Sequence, residues 1–274
     1  MSSNDRPNPI VIKYGGNAIV DMELTREILY RIIKLQKEGY RIVIVHGGGP
    51  FIKQNLKLAG IKSEFVGGQR KTDSKAMKYI EMSLKGEVNS KIVREINLLG
   101  AKAVGLSGKD GQLAIAKKRF HYDEDENEVD IGQVGDVEKI NTEIINLLLD
   151  NNYIPVIATI AAGSDGIDFN INADNFAGFI AAALNADGLI LMTDIDGLMM
   201  DPEDESTIIT ELKTKEIEGL KGKVIKGGML PKTEACKYAV DNGAERAIII
   251  NGTKPDLIEA AVKKQDFLGT IITK

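Results

Sequence analysis

Two lysines stand where lysines are costly. Lys13 interrupts the apolar run IVIKY at residues 10–14, and Lys232 follows KGGMLP, at the start of a helical pattern. An ammonium on an inner strand is penalised heavily unless an anion meets it. A cation in the first turn of a helix opposes the helix dipole. Both positions make sense if a negative ligand lies between them, although a structural salt bridge would also serve Lys13. Asp174, in NINADN (170–175), is of the right type to hold the two lysines in place, or simply to open a helix as an acidic residue.

The glycines suggest the same chemistry. KYGG (13–16) and VHGGGP (45–50) place Gly15 and Gly16, then Gly47, Gly48 and Gly49, at the ends of apolar, β-branched runs. In open parallel sheets, ligands bind beyond the carboxyl ends of the strands. Without a Cβ, backbone N–H groups can approach an anion closely, and a following helix N-terminus adds partial positive charge. Two such turns could clasp one phosphoryl group from both sides; tight strand-to-helix turns are the plainer alternative. There is no GxxxxGK[ST], and no GxGxxG follows the first strand, so neither common phosphate fingerprint applies.

These groups need a scaffold. Apolar runs at 10–14, 41–46, 101–106, 153–158, 189–193 and 247–251 suit strands covered on both faces. Helical patterns separate them at 22–37, 74–84, 141–150, 173–184 and 232–241; the first carries Leu24, Ile28, Ile32 and Leu35 on one stripe. This alternation predicts an α/β fold with a mostly parallel sheet. Residues 112–137, acidic in the middle, read as a hairpin protruding from that sheet, and 160–171 as a second hairpin. No repeat or Pro-rich linker is present, so any division is a tight junction near Asn185.

Composition sets the outer limits. The chain has 274 residues, 43% of them hydrophobic and 27% charged, which is an ordinary globular balance. A net charge of −5 without a basic block argues against nucleic acid as a partner. The single cysteine, Cys236, excludes an intrachain disulfide and a cysteine metal cluster, and reads as a small core residue. The polar MSSNDRPNP start lacks a signal-peptide core, and no apolar stretch approaches the ~20 residues of a membrane span, so a cytoplasmic protein is expected. His46 reads as a strand-end packing residue, His121 as solvated, and the run from Asp123 to Glu128 as an exposed hairpin tip.

Taken in order, KYGGNA (13–18), VHGGGP (45–50), GQRKTD (68–73), GLSGKDG (105–111), NINADN (170–175), LMTDIDGLM (191–199) and KGGMLPK (226–232) resemble the amino acid kinase family, and within it most the acetylglutamate kinases. The similarity runs from Ile10 to the GTII at 269–272. It implies a three-layer αβα sandwich around a central, mainly parallel sheet of about eight strands, the carbamate kinase-like fold. The N-terminal lobe (1–185) would take the acylated amino acid and dimerise; the C-terminal lobe (186–274) would take ATP. The implied reaction is ATP-dependent phosphorylation of the side-chain carboxylate of N-acetyl-L-glutamate, giving N-acetylglutamyl 5-phosphate and ADP in arginine biosynthesis. Lys13 and Lys232 would stabilise the migrating phosphoryl group, Gly16 and Gly48 would donate N–H groups to it, and Asp174 would orient both lysines. Arg70, Asn170, Gly47 and Gly48 would bind the acyl amino acid. Gly15, Gly16, Thr193, Asp194, Asp196, Gly197, Lys226, Gly227, Gly228 and Met229 would line the nucleotide pocket together with the lysines. Mg²⁺ would be held through the ATP phosphates, with no side-chain metal ligands.

The residue types suit that chemistry. A carboxylate nucleophile is already ionised at neutral pH and needs no general base, which agrees with a chain holding only two histidines. One departure concerns Lys71, which replaces an apolar residue of the usual GLRVTD. It leaves open N-succinylglutamate or a carrier-bound aminoadipate as substrate; a non-catalytic nucleotide- or metabolite-sensing module on the same fold is the further alternative. The short segment before the first strand and QDFLGT (265–270) imply a homodimer insensitive to arginine.

Overall fold

The structure is a computed structural model that describes residues 7–123, 125–201 and 204–274. The first six residues of the polar N-terminal segment and Glu124 of the acidic run lie outside the described residues. The first half of the chain runs β1 (Ile10–Tyr14), α1 (Met22–Lys37), β2 (Ile42–His46), α2 (Gly49–Leu58), β3 (Phe65–Val66), β4 (Gln69–Arg70), α3 (Ser74–Glu81), a π-helix (Met82–Asn89), α4 (Ser90–Leu98) and β5 (Ala103–Ser107). Next come β6 (Ala114–Lys118), β7 (His121–Tyr122), β8 (Glu128–Val129), β9 (Val134–Ile140), α5 (Glu143–Asp150), β10 (Ile154–Ala158), β11 (Ile160–Gly163), β12 (Asp168–Ile171) and α6 (Ala173–Ala183). The last part holds β13 (Gly188–Thr193), β14 (Glu211–Lys213), α7 (Ile217–Leu220), α8 (Met229–Asp241), β15 (Ala247–Asn251), α9 (Asp256–Val262) and β16 (Thr270–Thr273).

Eight strands form the central sheet in the order β14-β16-β15-β13-β1-β2-β10-β5, all paired in parallel except β15 with β16. Helices cover both faces, as the α/β alternation predicts. Strand alternation decides which helices each side chain meets. Ile10, Ile12 and Tyr14 of β1 join the core with Ile28, Ile32 and Ile258 of α1 and α9. Val11 joins the opposite core with Phe176, Ile180 and Ala239 of α6 and α8. Lys13 is two residues on from Val11, so it is delivered to the α6–α8 face.

Three expectations need correction. The helix read at 74–84 continues to Leu98 as α3, the π-helix and α4. Its buried residues Ala76, Ile80, Leu84, Val88, Ile92 and Ile96 recur every four positions. At 3.6 residues per turn, each such step drifts by about 40° around an α-helix. The wider π turn takes up that drift and keeps the stripe against the core. The hairpin at 112–137 does not simply protrude. Its arms, β6 and β9, close with β11 and β12 into a four-stranded barrel, because Ala116, Val137, Phe169 and Ile171 need mutual cover. Only its tip, the β7–β8 ladder, lies outside the barrel. Finally, α8 starts at Met229 and not at 232, since Pro231 falls in the first turn, where no intrahelical N–H is required. No helix among the described residues is long and apolar enough to cross a membrane.

Candidate active site

The carboxyl ends of β1 and β2 meet the N-termini of α6 and α8. Asn172 caps α6, accepting from the N–H groups of Asp174 at 2.9 Å and Asn175 at 3.1 Å. This sets Asp174 in the first turn, where a carboxylate complements the helix dipole. Asp174 is 4% exposed and meets both lysines: Lys13 Nζ lies 3.0 Å from Oδ1, and Lys232 Nζ donates to Oδ2 at 2.8 Å. Burial alone would push this carboxyl up; the two ammonium groups outweigh it and hold it below the usual carboxylate range. Two cations share one anion, so the cluster carries a net positive charge.

Helix packing makes the arrangement possible. Gly178, one turn after Asp174, lies against α8 so closely that a Cβ there would sit 2.8 Å from the Ala235 carbonyl oxygen. That approach brings Lys232 within reach of Asp174. Gly178 was not anticipated from the sequence; a small residue four positions from a site acid is the signal that could have found it.

The two glycine turns adjoin each other and the lysine. A Cβ on Gly15 would lie 3.6 Å from Lys13 Nζ and 3.7 Å from Gly47 N. Gly16 has φ +71°, and its missing Cβ faces Asp194 Oδ1 at 3.2 Å. In the second turn, Gly47 N–H donates to the Tyr14 carbonyl at 3.2 Å, which stitches β2 to β1. Gly48 lacks room for a side chain on its inner side: a Cβ would meet Leu84 Cδ2 at 2.7 Å and Val88 Cγ2 at 3.1 Å, both on the π-helix. Gly49 faces open space and starts α2, whose first N–H groups have no intrahelical partner.

Arg70 ends β4 and reaches toward the same turn. Its guanidinium donates to Ser63 Oγ and to the Gly49 carbonyl at 3.4 Å, and lies over the Phe65 ring at 4.6 Å. Ser63 and Phe65 carried no sequence signal. Asn170 sits on β12, its N–H bonded to the Gln133 carbonyl, on the barrel strand that leads into α6. Lys71 has an exposed side chain.

The remaining predicted residues follow the end of β13 or lead into α8. Thr193 ends β13 beside Asn251 of β15. Asp196 is buried and accepts from Asn251 Nδ2 at 2.9 Å and Lys254 Nζ at 2.7 Å, so its carboxylate fastens the β13 and β15 ends together. Gly197 is required by β16, since a Cβ would lie 2.8 Å from Thr270 Oγ1. Lys226, Gly227 and Gly228 form the turn before Met229 opens α8. Asn251 and Lys254 were not foreseen, although NGTK at a strand end resembles the other turns of the site.

His46 is the strand-end packing residue expected, whereas His121 differs from its sequence reading. His46 is fully buried, which pushes its imidazole down to about 4. Its Nδ1 pairs with the Gly47 carbonyl and its Nε2 with Asn89, each at 2.9 Å. His121 is half-buried, not solvated: its ring fills the space a Gly67 side chain would need, with Cε1 only 2.1 Å from that Cβ position. Cys236 is buried in the core, as expected.

Comparison with known proteins agrees with this architecture. The sequence profile of the amino acid kinase family matches residues 8–251. An acetylglutamate kinase of Archaeoglobus fulgidus is 44% identical over 267 residues, covering 96% of this chain and 92% of that protein. Among solved structures, the protein smu.665 of Streptococcus mutans superposes with a TM-score of 0.78 at 28% identity, covering 96% of this chain and 98% of that one. Giardia carbamate kinase shares the fold, with a TM-score of 0.72 at 20% identity over 98% of this chain and 99% of that one. A profile match across most of the sequence, and a relative alike over nearly its whole length, establish that the chain belongs to the amino acid kinase family.

Proposed function

We propose that this kinase transfers the γ-phosphoryl group of ATP to the side-chain carboxylate of N-acetyl-L-glutamate and so supplies acyl phosphate for arginine biosynthesis; its Archaeoglobus relative is named an acetylglutamate kinase. One observation carries the reading: Lys13 and Lys232 share the buried carboxylate of Asp174 beside two adjoining glycine turns. A buried group of two cations and one anion lacks an anion, and a migrating phosphoryl group supplies it.

The chain's own residues then act by position and charge. Arg70 holds the substrate α-carboxylate with its planar fork, near the Gly49 turn it already touches. Asn170 meets the amino-acid end. The ionised side-chain carboxylate attacks phosphorus in line while the bond to the ADP oxygen breaks; no proton moves. Charge on the equatorial oxygens is met by Lys13, Lys232 and the N–H groups of Gly16 and Gly48. Mg²⁺ would come with ATP, held through its phosphates, and would neutralise charge there; the carboxylate nearest the Gly16 turn is Asp194.

In this reading residues 1–185 form the acyl amino acid lobe and 186–274 the ATP lobe, with the Asp174–Lys232 pair spanning their junction. A cytoplasmic homodimer fits. What supports the dimer is β5, a sheet-edge strand with a single neighbour in the central sheet, beside the exposed Leu98 that ends the long helix; sedimentation of the wild-type chain checks it.

Trapping the acyl phosphate with hydroxylamine tests the reaction. Lys13→Ala and Lys232→Ala should each lower kcat by more than about 100-fold with KM for both substrates changed little, as expected when transition-state interactions are lost. A kcat within threefold of wild type in either variant would refute the charge clamp.

A further inference from the structure

The Gly48 N–H can stabilise a phosphoryl group only if it points at one. Glycines on both sides leave the Gly47–Gly48 peptide unusually free to rotate. A peptide unit is planar, with its C=O and N–H on opposite sides. Whatever grips the Gly47 carbonyl therefore aims the Gly48 N–H.

That grip is His46. Its Nδ1 lies 2.9 Å from the Gly47 carbonyl oxygen, which only accepts, so Nδ1 carries the proton. Its Nε2 must then accept, and Asn89 Nδ2 donates to it at 2.9 Å. The same amide donates to the Val156 carbonyl at 2.9 Å, tying the group to β10. Asn89 is the last residue of the π-helix, whose Leu84 and Val88 press on the inner side of Gly48. Room for the amide exists because residue 105 is glycine: a Cβ there would lie 2.0 Å from Asn89 Oδ1. The charged groups nearby, Lys85 and Asp110, bond each other and the β5 end, with Lys85 also on the Gly105 carbonyl.

We propose that His46 and Asn89 are positioning residues for phosphoryl transfer: an uncharged relay from the π-helix through the imidazole to the Gly47 carbonyl fixes the Gly48 N–H toward the site. Neither side chain touches the reacting atoms. A neutral imidazole suits the task, since a protonated one would be a second donor facing the Asn89 amide. The inference rests on the reading given under Proposed function for what the Gly48 N–H does.

Two measurements test it. In hydroxamate-trapped kinetics, Asn89→Ala and Gly105→Ala should each lower kcat about 100-fold, the scale of a small misplacement at a reacting centre. KM for ATP and acetylglutamate should stay within about threefold. The double variant should be no slower than either single one, because both changes act on one amide. Wild-type kcat in Asn89→Ala, or losses that multiply in the double variant, would overturn the relay. The second measurement needs no variant to fold and no turnover: ¹⁵N spectra of the wild-type chain at pH 7 should show the His46 proton on Nδ1. A proton on Nε2 overturns the relay. A wild-type chain that forms no acyl phosphate from acetylglutamate refutes the substrate instead, and the spectra still decide the relay.

Discussion

The turn after β1 and the turn after β2 look alike in sequence and are built on different physics. Gly16 is glycine because of its own backbone: φ is +71°, a region that side chains with a Cβ avoid. Gly48 is glycine because of its neighbours: its φ of 172° lies outside the left-handed region, and Leu84 and Val88 occupy the space behind it. Gly49 has neither reason and faces open space. A glycine cluster is thus a composite signal, in which conformation, packing and room for a ligand are written with one letter.

Substitution can separate these reasons. The largest effect is expected from Gly48→Ala, whose methyl must displace Leu84; overpacking of this kind costs about 1–3 kcal/mol, and activity should fall about 100-fold. Adding Leu84→Ala should restore much of the activity while thermal unfolding shows the new cavity. No recovery would mean that the packing account of Gly48 is wrong. Gly16→Ala should be intermediate, losing about 1–2 kcal/mol to the left-handed backbone, and no change at a neighbouring residue should rescue it; rescue by Asp194→Ala would shift the cause from backbone to contact. Gly49→Ala should be mildest for the fold, with Tm equal to or above wild type, as for Gly→Ala at a compatible helical position. If ligand uses that space, KM for acetylglutamate rises all the same; unchanged KM would assign Gly49 to chain flexibility alone.

Much of the fold was readable because strand runs and helix stripes report burial directly. β1, α1 and β15 have the predicted bounds, since each combines an uninterrupted apolar pattern with clear ends. The π-helix is hard to read from sequence, although Ile80, Leu84, Val88, Ile92 and Ile96 recur every four positions. The pattern departs from both periods a reader tests for. The barrel escaped because closure depends on pairing β6 with β11 and β9 with β12, and nothing local specifies a partner strand. At the site, the meeting of Lys13, Asp174 and Lys232 was legible because charges misplaced in apolar or helix-start contexts demand company. Gly178, Asn89 and Gly105 were not, because their importance lies in what they leave room for.

The shared carboxylate has a practical corollary. Lys13 and Lys232 flank one carboxylate, Asp174, so these three little-exposed side chains together carry one net positive charge. A small oxyanion held between the two lysines should raise the melting temperature of the folded chain by mass action. A melting temperature recorded in sulfate or phosphate should therefore exceed that recorded in chloride at equal ionic strength, and equal values would count against an anion held between the two lysines.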